Sequence, residues 1–194
     1  EERGQKKWLI QNLLKRHKHW KKTTIGKLTI VCAGATPSTK IPEYWGGSIR
    51  WMNSGELNLK QVYEVDGRIT EAGLKNSGTK LLPAKCVLVG LAGQGRTRGT
   101  VAINHVPLCT NQSIAAILPN DTFNTEYLYW NLENRYAELR KISSGDGARG
   151  GLNLELINGL TVYLPPIEEQ TVIANILSTT ERKIELLERE LGQW

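Results

Sequence analysis

The stretch of this chain that comes closest to phosphate chemistry is Gly90-Leu91-Ala92-Gly93-Gln94-Gly95-Arg96-Thr97. A glycine-rich turn after an apolar run can cradle phosphate with its backbone N–H groups. It also needs a lysine and a helix N-terminus behind it. Here Arg96 stands in the lysine's place, and Arg98-Gly99-Thr100-Val101-Ala102-Ile103 reads as a strand. The same objection removes a G-x-G dinucleotide site. The residues suit a hairpin whose tip displays Gln94, Arg96 and Arg98. Arginine forks onto guanine or phosphate, and glutamine onto adenine. An ordinary solvated turn is the alternative.

Other loops offer contact groups of the same kind. Residues 143–151 are glycine-rich and carry Ser143, Ser144 and Arg149. Glycine there would let backbone approach a partner closely; a disordered surface loop is the alternative. Residues 34–45 contribute Thr36, Ser38, Thr39 and Lys40, with Tyr44 and Trp45 divided between core and surface. Asn111 and Gln112 precede a strand and either reach a base edge or hold a turn. Asn53 and Ser54 complete the candidate set. No catalytic residue is expected. His105 has no serine or cysteine partner that spacing can justify, and there is no paired-carboxylate, G-x-S-x-G or H-E-x-x-H pattern. No metal site is expected either: Cys32, Cys86 and Cys109 form no C-x-x-C, and no histidine lies at ligand spacing. Three such cysteines point to a reducing, cytoplasmic setting.

These loops need a frame. The chain has 194 residues, 40% hydrophobic and 23% charged, enough for one sizeable domain with an appendage. No apolar run reaches membrane-span length, no secretory signal opens the chain, and the missing initiator Met suggests a fragment or a processed product. The net charge of +6 is unevenly placed: residues 1–28 hold nine Lys/Arg against two Glu, and residues 165–194 hold three against six. A basic head commonly meets a polyanion; it also suits a solvated helix face or a helix that pairs with the acidic end.

Residues 1–19 read as a helix with Trp8, Leu9, Ile10, Leu13 and Leu14 on one broad face. From 28 to 164 short β-like runs alternate with glycine and polar turns. The runs 86–89, 100–103 and 113–118 look like buried strands. One helix is expected over 124–141, capped by Asn124 or Thr125. Pro165-Pro166 then stop a β-like run and open a helix whose first turn carries Glu168 and Glu169, where the dipole favours negative charge. Ile173, Leu177, Thr180, Ile184, Leu187 and Leu191 form a narrow seam along it. A helical partner and packing on the body are equally compatible with that seam.

Gly34-Ala-Thr-Pro-Ser38, Tyr44-Trp45-Gly46-Gly47, Ile49-Arg-Trp51, Ile69-Thr-Glu-Ala-Gly-Leu74, Leu82-Pro83, Asn111-Gln112 and Leu164-Pro-Pro-Ile-Glu-Glu-Gln170 occur in that order. Together they resemble the target-recognition domain of a type I restriction-modification specificity subunit, from about Trp20 to the C-terminus. The resemblance implies an α+β fold. Its core is a mixed, β-rich recognition domain with one internal helix, flanked by N- and C-terminal helices of a coiled-coil spacer. Residues 1–19 would end one spacer helix, 20–164 would form the recognition domain, and 165–194 would begin the next spacer helix.

The resemblance further implies that the domain reads one half of a bipartite target in double-stranded DNA. It would be non-catalytic, would dock methyltransferase subunits and act beside a restriction subunit. S-adenosylmethionine and ATP would be bound by those partners and not by this chain. Ile173, Leu177, Ile184, Leu187 and Leu191 would pair the helix with a second recognition half or a second copy. The competing readings are a protein-interaction module without DNA contact and a nucleotide-binding enzyme using residues 90–97.

Overall fold

The computed structural model describes residues 2–93, 95–142 and 151–192. In chain order the elements are α1 (Glu2–Leu13), β1 (Lys21–Thr24), a one-turn α2 (Ile25–Leu28), β2 (Val31–Ala33), β3 (Trp45–Met52), β4 (Gln61–Val62), β5 (Arg68–Ile69) and α3 (Glu71–Lys75). Then come β6 (Val87–Gly90), β7 (Val101–Asn104), β8 (Cys109–Thr110), β9 (Ile114–Ile117), α4 (Thr125–Glu133), α5 (Tyr136–Ile142), α6 (Leu154–Gly159), β10 (Thr161–Leu164) and α7 (Ile167–Leu191). The α+β class is as expected.

Five strands form the central sheet in the order β2-β9-β6-β7-β4. Neighbours run antiparallel except β4, which is parallel to β7. The three apolar runs of the sequence supply β9, β6 and β7 at its centre, and every residue of these strands is buried. Successive side chains point to opposite faces. Val87, Val89, Val101, Ile103, Ala115 and Ile117 share one core with Tyr127, Leu128 and Leu132 of α4. Leu88, Ala102, Ile114 and Ala116 share a second with Met52, Leu57, Val62 and Leu108. Both faces are covered, so these strands are continuously apolar and do not alternate. A three-stranded sheet, β5-β3-β8, and the pair β1-β10 flank this unit.

Two helical expectations are revised in length. The head helix stops at Leu13 and does not run to residue 19. Lys15, Arg16 and Lys18 crowd like charge into one turn, which a helix disfavours. Trp20 N–H donates to the His17 carbonyl at 3.2 Å, in a turn that carries the Trp20 ring into the main core. The helix over 124–141 is present but breaks at Asn134-Arg135 into α4 and α5. Arg135 is drawn out of line: its Nη1 donates to the Thr161 carbonyl at 2.8 Å while its other nitrogens fork onto Glu138 at 2.7 and 2.8 Å. Asn124 caps α4, accepting from Tyr127 N–H at 3.0 Å.

The seam of α7 is divided between two partners. Ile173, Ala174 and Leu177 lie in the main core beside α4 residues. Farther on, α1 runs antiparallel along α7. Arg3 pairs with Glu188 at 2.6 Å, Lys183 with Glu2 at 2.9 Å, and Lys6 with Glu181. Ile184 is buried, Leu187 half-buried, and Leu191 is 75% exposed. Packing on the body and pairing with a helix are therefore both realised, in succession, along one helix.

Candidate nucleic-acid interface

Strand directions decide where the candidate loops meet. The C-terminal ends of β2 and β6 and the N-terminal ends of β9 and β7 lie at one end of the five-stranded sheet, while the short β4 pairs with the far end of β7. Four polar segments meet there: residues 34–40, 91–100 and 111–113 by strand direction, and the start of 53–59 because Met52, just before it, is bonded to Asn111. Backbone hydrogen bonds stitch them together. Ala35 N–H donates to the Thr110 carbonyl at 2.9 Å, Asn111 N–H to Met52 at 3.0 Å, and Leu91 N–H to Ser113 at 2.8 Å.

Within this cluster Thr36, Ser38, Thr39, Lys40, Arg96 and Gln112 are exposed. Thr36 Oγ1 donates to Gln112 Oε1 at 2.7 Å, so these two side chains form one unit across two loops. Two indoles support the 34–40 loop from below: Trp51 donates to the Ala35 carbonyl at 3.0 Å and Trp45 to Ser38 at 3.2 Å. Their rings meet edge to face at 5.1 Å. Tyr44 and Trp45, left between core and surface by the sequence, are half-buried, and Trp45 works as loop support.

Other candidates have structural duties. The Asn53 amide is engaged at both ends: Oδ1 accepts from Gly55 N–H at 2.8 Å and Nδ2 donates to Glu56 at 2.8 Å, closing a capping box over the 3-10 turn Ser54–Leu59. Ser54 is half-buried as its first residue. Asn111 Oδ1 accepts from Ser113 N–H at 3.1 Å, so it holds the turn. Gln94, Ser143, Ser144 and Arg149 lie outside the described residues. Arg98 is half-buried where the hairpin tip folds against α5. No helix follows the 90–97 stretch; the chain enters β7 at Val101, so the helix N-terminus needed to hold nucleotide phosphates is missing at that point.

Sequence reasoning passed over the turn 76–80. Thr79 Oγ1 donates to the same Thr110 carbonyl at 3.1 Å, and Gly78 lies against Ala35, which brings exposed Lys75 and Lys80 to this end of the sheet. Only the run of small polar residues hinted at a loop there. The densest basic stretch lies elsewhere. Thr29 Oγ1 donates to the Leu118 carbonyl at 2.7 Å and Asn120 donates to Leu28 at 2.8 Å. Leu118 and Asn120 follow the C-terminal end of β9, so Lys21, Lys22 and Lys27 belong to the end of the domain away from the recognition loops.

His105 lies at that far end too. Its Nε2 is 2.6 Å from Gln61 Oε1, its Nδ1 is 3.1 Å from Lys85 Nζ, and Tyr63 stacks on it at 4.2 Å. Burial, reinforced by the Lys85 charge, holds its pKa below the ordinary histidine value. A histidine that resists protonation when folded leaves stability intact above its unfolded pKa of about 6.5 and subtracts from it as pH falls toward the lowered folded value. Thermal melting between pH 7.5 and 5 should therefore show a decline that His105→Gln flattens. The three cysteines are buried and unpaired; burial pushes the Cys86 thiol up to about 12, which leaves it inert as a nucleophile. Among the described residues no group of three or more His, Cys, Asp or Glu is placed to hold a metal ion, and no helix is long and apolar enough to cross a membrane.

Residues 17–193 match the family model described as the type I restriction modification DNA specificity domain. The chain belongs to this family. It is 34% identical over 172 residues to the type I restriction enzyme MjaIX specificity subunit of Methanocaldococcus jannaschii, covering 87% of this chain and 39% of that protein. It is 28% identical over 185 residues to the EcoR124I/EcoR124II specificity subunit of Escherichia coli, covering 88% and 45%. The chain thus spans less than half the length of either relative. Among solved structures, the HsdS subunit from Thermoanaerobacter tengcongensis shares the fold with a TM-score of 0.70 at 17% identity, over 96% of this chain and 46% of that one. In this specificity domain the sheet end with the converging loops is the candidate interface, and α1 and α7 form the helical flank.

Proposed function

We propose that this chain is the DNA target-recognition domain of a type I specificity subunit, reading one half of a bipartite sequence. The observation that carries the proposal is the convergence of four separate polar loops on one sheet end, over a frame of backbone hydrogen bonds and indoles. Recognition of base edges requires groups held in fixed places, and this end supplies them. Arg96, Arg98, Gln94 and Arg149 are the candidates for base edges, and Thr36 and Gln112, joined across two loops, are further ones. Lys40, Lys75 and Lys80 are suited to phosphate.

The domain performs no chemistry in this reading; S-adenosylmethionine and ATP belong to partner subunits. The spacer role rests on α7, whose seam continues to exposed Leu191 beyond its last pairing with α1. Val172, Ile176 and Leu186 are further exposed apolar residues of α7, where methyltransferase subunits or a second recognition half would dock. Residues 29–164 carry thirteen Lys/Arg against eleven Asp/Glu. So modest an excess suits weak binding by one domain and tight binding by an assembly that grips the same duplex at several points.

The test is methylation mapping by long-read sequencing in cells that express the full system, with Arg96 and Arg98 intact and then both changed to alanine. Half of a bipartite methylation motif should be lost or altered while the spacer length stays unchanged. An unaltered motif would reduce the arginine hairpin to a turn. No bipartite methylation with the intact chain would remove the DNA reading altogether.

A further inference from the structure

The tip of the hairpin between β6 and β7 is held from outside the hairpin. Arg140 Nη1, on α5, donates to the Gly95 carbonyl at 2.6 Å and to the Arg98 carbonyl at 3.3 Å. The same nitrogen lies 3.3 Å from the Tyr136 hydroxyl oxygen, and that hydroxyl donates to the Arg96 carbonyl at 3.1 Å. Thr100 Oγ1 donates to the Arg96 carbonyl as well, at 2.6 Å. The fit is close: a Cβ on Gly99, where φ is +80°, would lie 3.3 Å from both Leu139 Cβ and Arg140 Cγ.

All these contacts are to main-chain carbonyls of the tip. The bonds just described do not use the side chain of Arg96. The hold therefore fixes the path of the tip without constraining which side chain stands at position 96. Donors at 136 and 140 are one turn apart on a single helix face, so one short rigid element sets the height and direction of the whole tip. A guanidinium is suited to this because its planar donors serve several acceptors in a fixed geometry, as an ammonium does not.

We infer that Tyr136 and Arg140 are positioning residues for sequence discrimination. They clamp the hairpin backbone so that the tip, with exposed Arg96, meets the duplex in one register. The inference rests on the DNA reading proposed above. It goes beyond that reading by assigning a role to α5, which need not touch DNA to fulfil it.

The test uses the assembled complex carrying Arg140→Ala, Arg140→Lys or Tyr136→Phe, with Arg96→Ala as the reader control. Two quantities are measured: backbone amide exchange at residues 95–99 without DNA, and relative affinity for the duplex of the mapped motif against duplexes with one base pair changed. Arg140→Ala should speed exchange at the tip and cut discrimination about tenfold or more, on the scale of one well-made base contact. Affinity for unrelated DNA and the melting temperature should change less than discrimination, because Arg140 is only half-buried. Arg140→Lys should keep part of the effect, and Tyr136→Phe should fall between Lys and wild type. Faster exchange with discrimination intact would overturn the inference. So would equal loss of specific affinity, unrelated-DNA affinity and melting temperature, which marks a merely structural role. If Arg96→Ala lowers discrimination but the α5 variants do not, the clamp fails and the DNA reading stands. If the wild-type complex does not discriminate at all, both fall.

Discussion

Replacing Gln170 with alanine should destabilise the protein by about 3 kcal/mol, a drop of roughly 6–12 °C in melting temperature for a chain of this size. Gln170 is 2% exposed. Its Oε1 accepts from the Asn124 backbone N–H at 2.8 Å and its Nε2 donates to the Pro165 carbonyl at 2.8 Å. One amide thus ties the start of α7 both to the proline turn before it and to the N-terminus of α4. Alanine strands a buried donor and a buried acceptor together, and the unmet groups cost more than the bonds themselves contributed.

Gln170→Glu separates polarity from shape. The introduced carboxylate cannot donate to Pro165, and its charge is buried, so its folded pKa is raised above the unfolded value of about 4.3. The stability of this variant should be greatest below about pH 4 and should be lost as pH rises through the raised value. That trend is opposite to the one expected from His105. Denaturant titrations at pH 4 and pH 7 read the difference directly. Equal losses for Gln170→Glu at both pH values would show that the introduced carboxyl titrates alike in the folded and unfolded chain and is not held in a buried site.

Gly34→Ala should cost about as much, for a steric reason. A Cβ at Gly34 would stand 1.9 Å from the Thr110 carbonyl oxygen and 2.3 Å from Thr110 Oγ1. The first obstacle is backbone, so no rotamer change relieves it. The Thr110 carbonyl also accepts from Ala35 N–H and Thr79 Oγ1. Moving it loosens three of the segments that build the candidate interface. A loss of about 3 kcal/mol, with DNA discrimination falling in parallel, is the expected outcome. Gly4→Ala is the control. Nothing lies within 4 Å of its added Cβ, and alanine in α1 should be neutral or stabilising by up to ~1 kcal/mol. If Gly34→Ala melts like Gly4→Ala, the 34–40 loop is free to shift and the stitched sheet end is not rigid.

Much of this protein is legible without its structure because local physics determined it. Three apolar runs became the central strands, since a strand covered on both faces must be apolar throughout. The proline pair and its two glutamates marked the start of α7, because φ restriction and helix dipole act within one turn. The arginine-bearing segment 90–100 was readable as a hairpin from its glycines and the two apolar runs that flank it. The ordered series of short motifs, ending in Leu164-Pro-Pro-Ile-Glu-Glu-Gln170, carried the family.

Tertiary structure alone decided the rest, because it depends on contacts between residues far apart in the chain. Strand direction brought loops 34–40, 91–100 and 111–113 to one end, the bond from Asn111 to Met52 added the start of 53–59, and Lys21, Lys22 and Lys27 fell near the other end. No local pattern distinguishes Asn53, tied up in a cap, from Gln112, which is exposed and accepts from Thr36 across the sheet end. Arg140 and Tyr136 read as ordinary helix residues until the fold places the 95–98 carbonyls against them. The seam of α7 could not declare its partner, since a heptad stripe fits α4 and α1 equally well; what divides it is where the body ends and α1 begins.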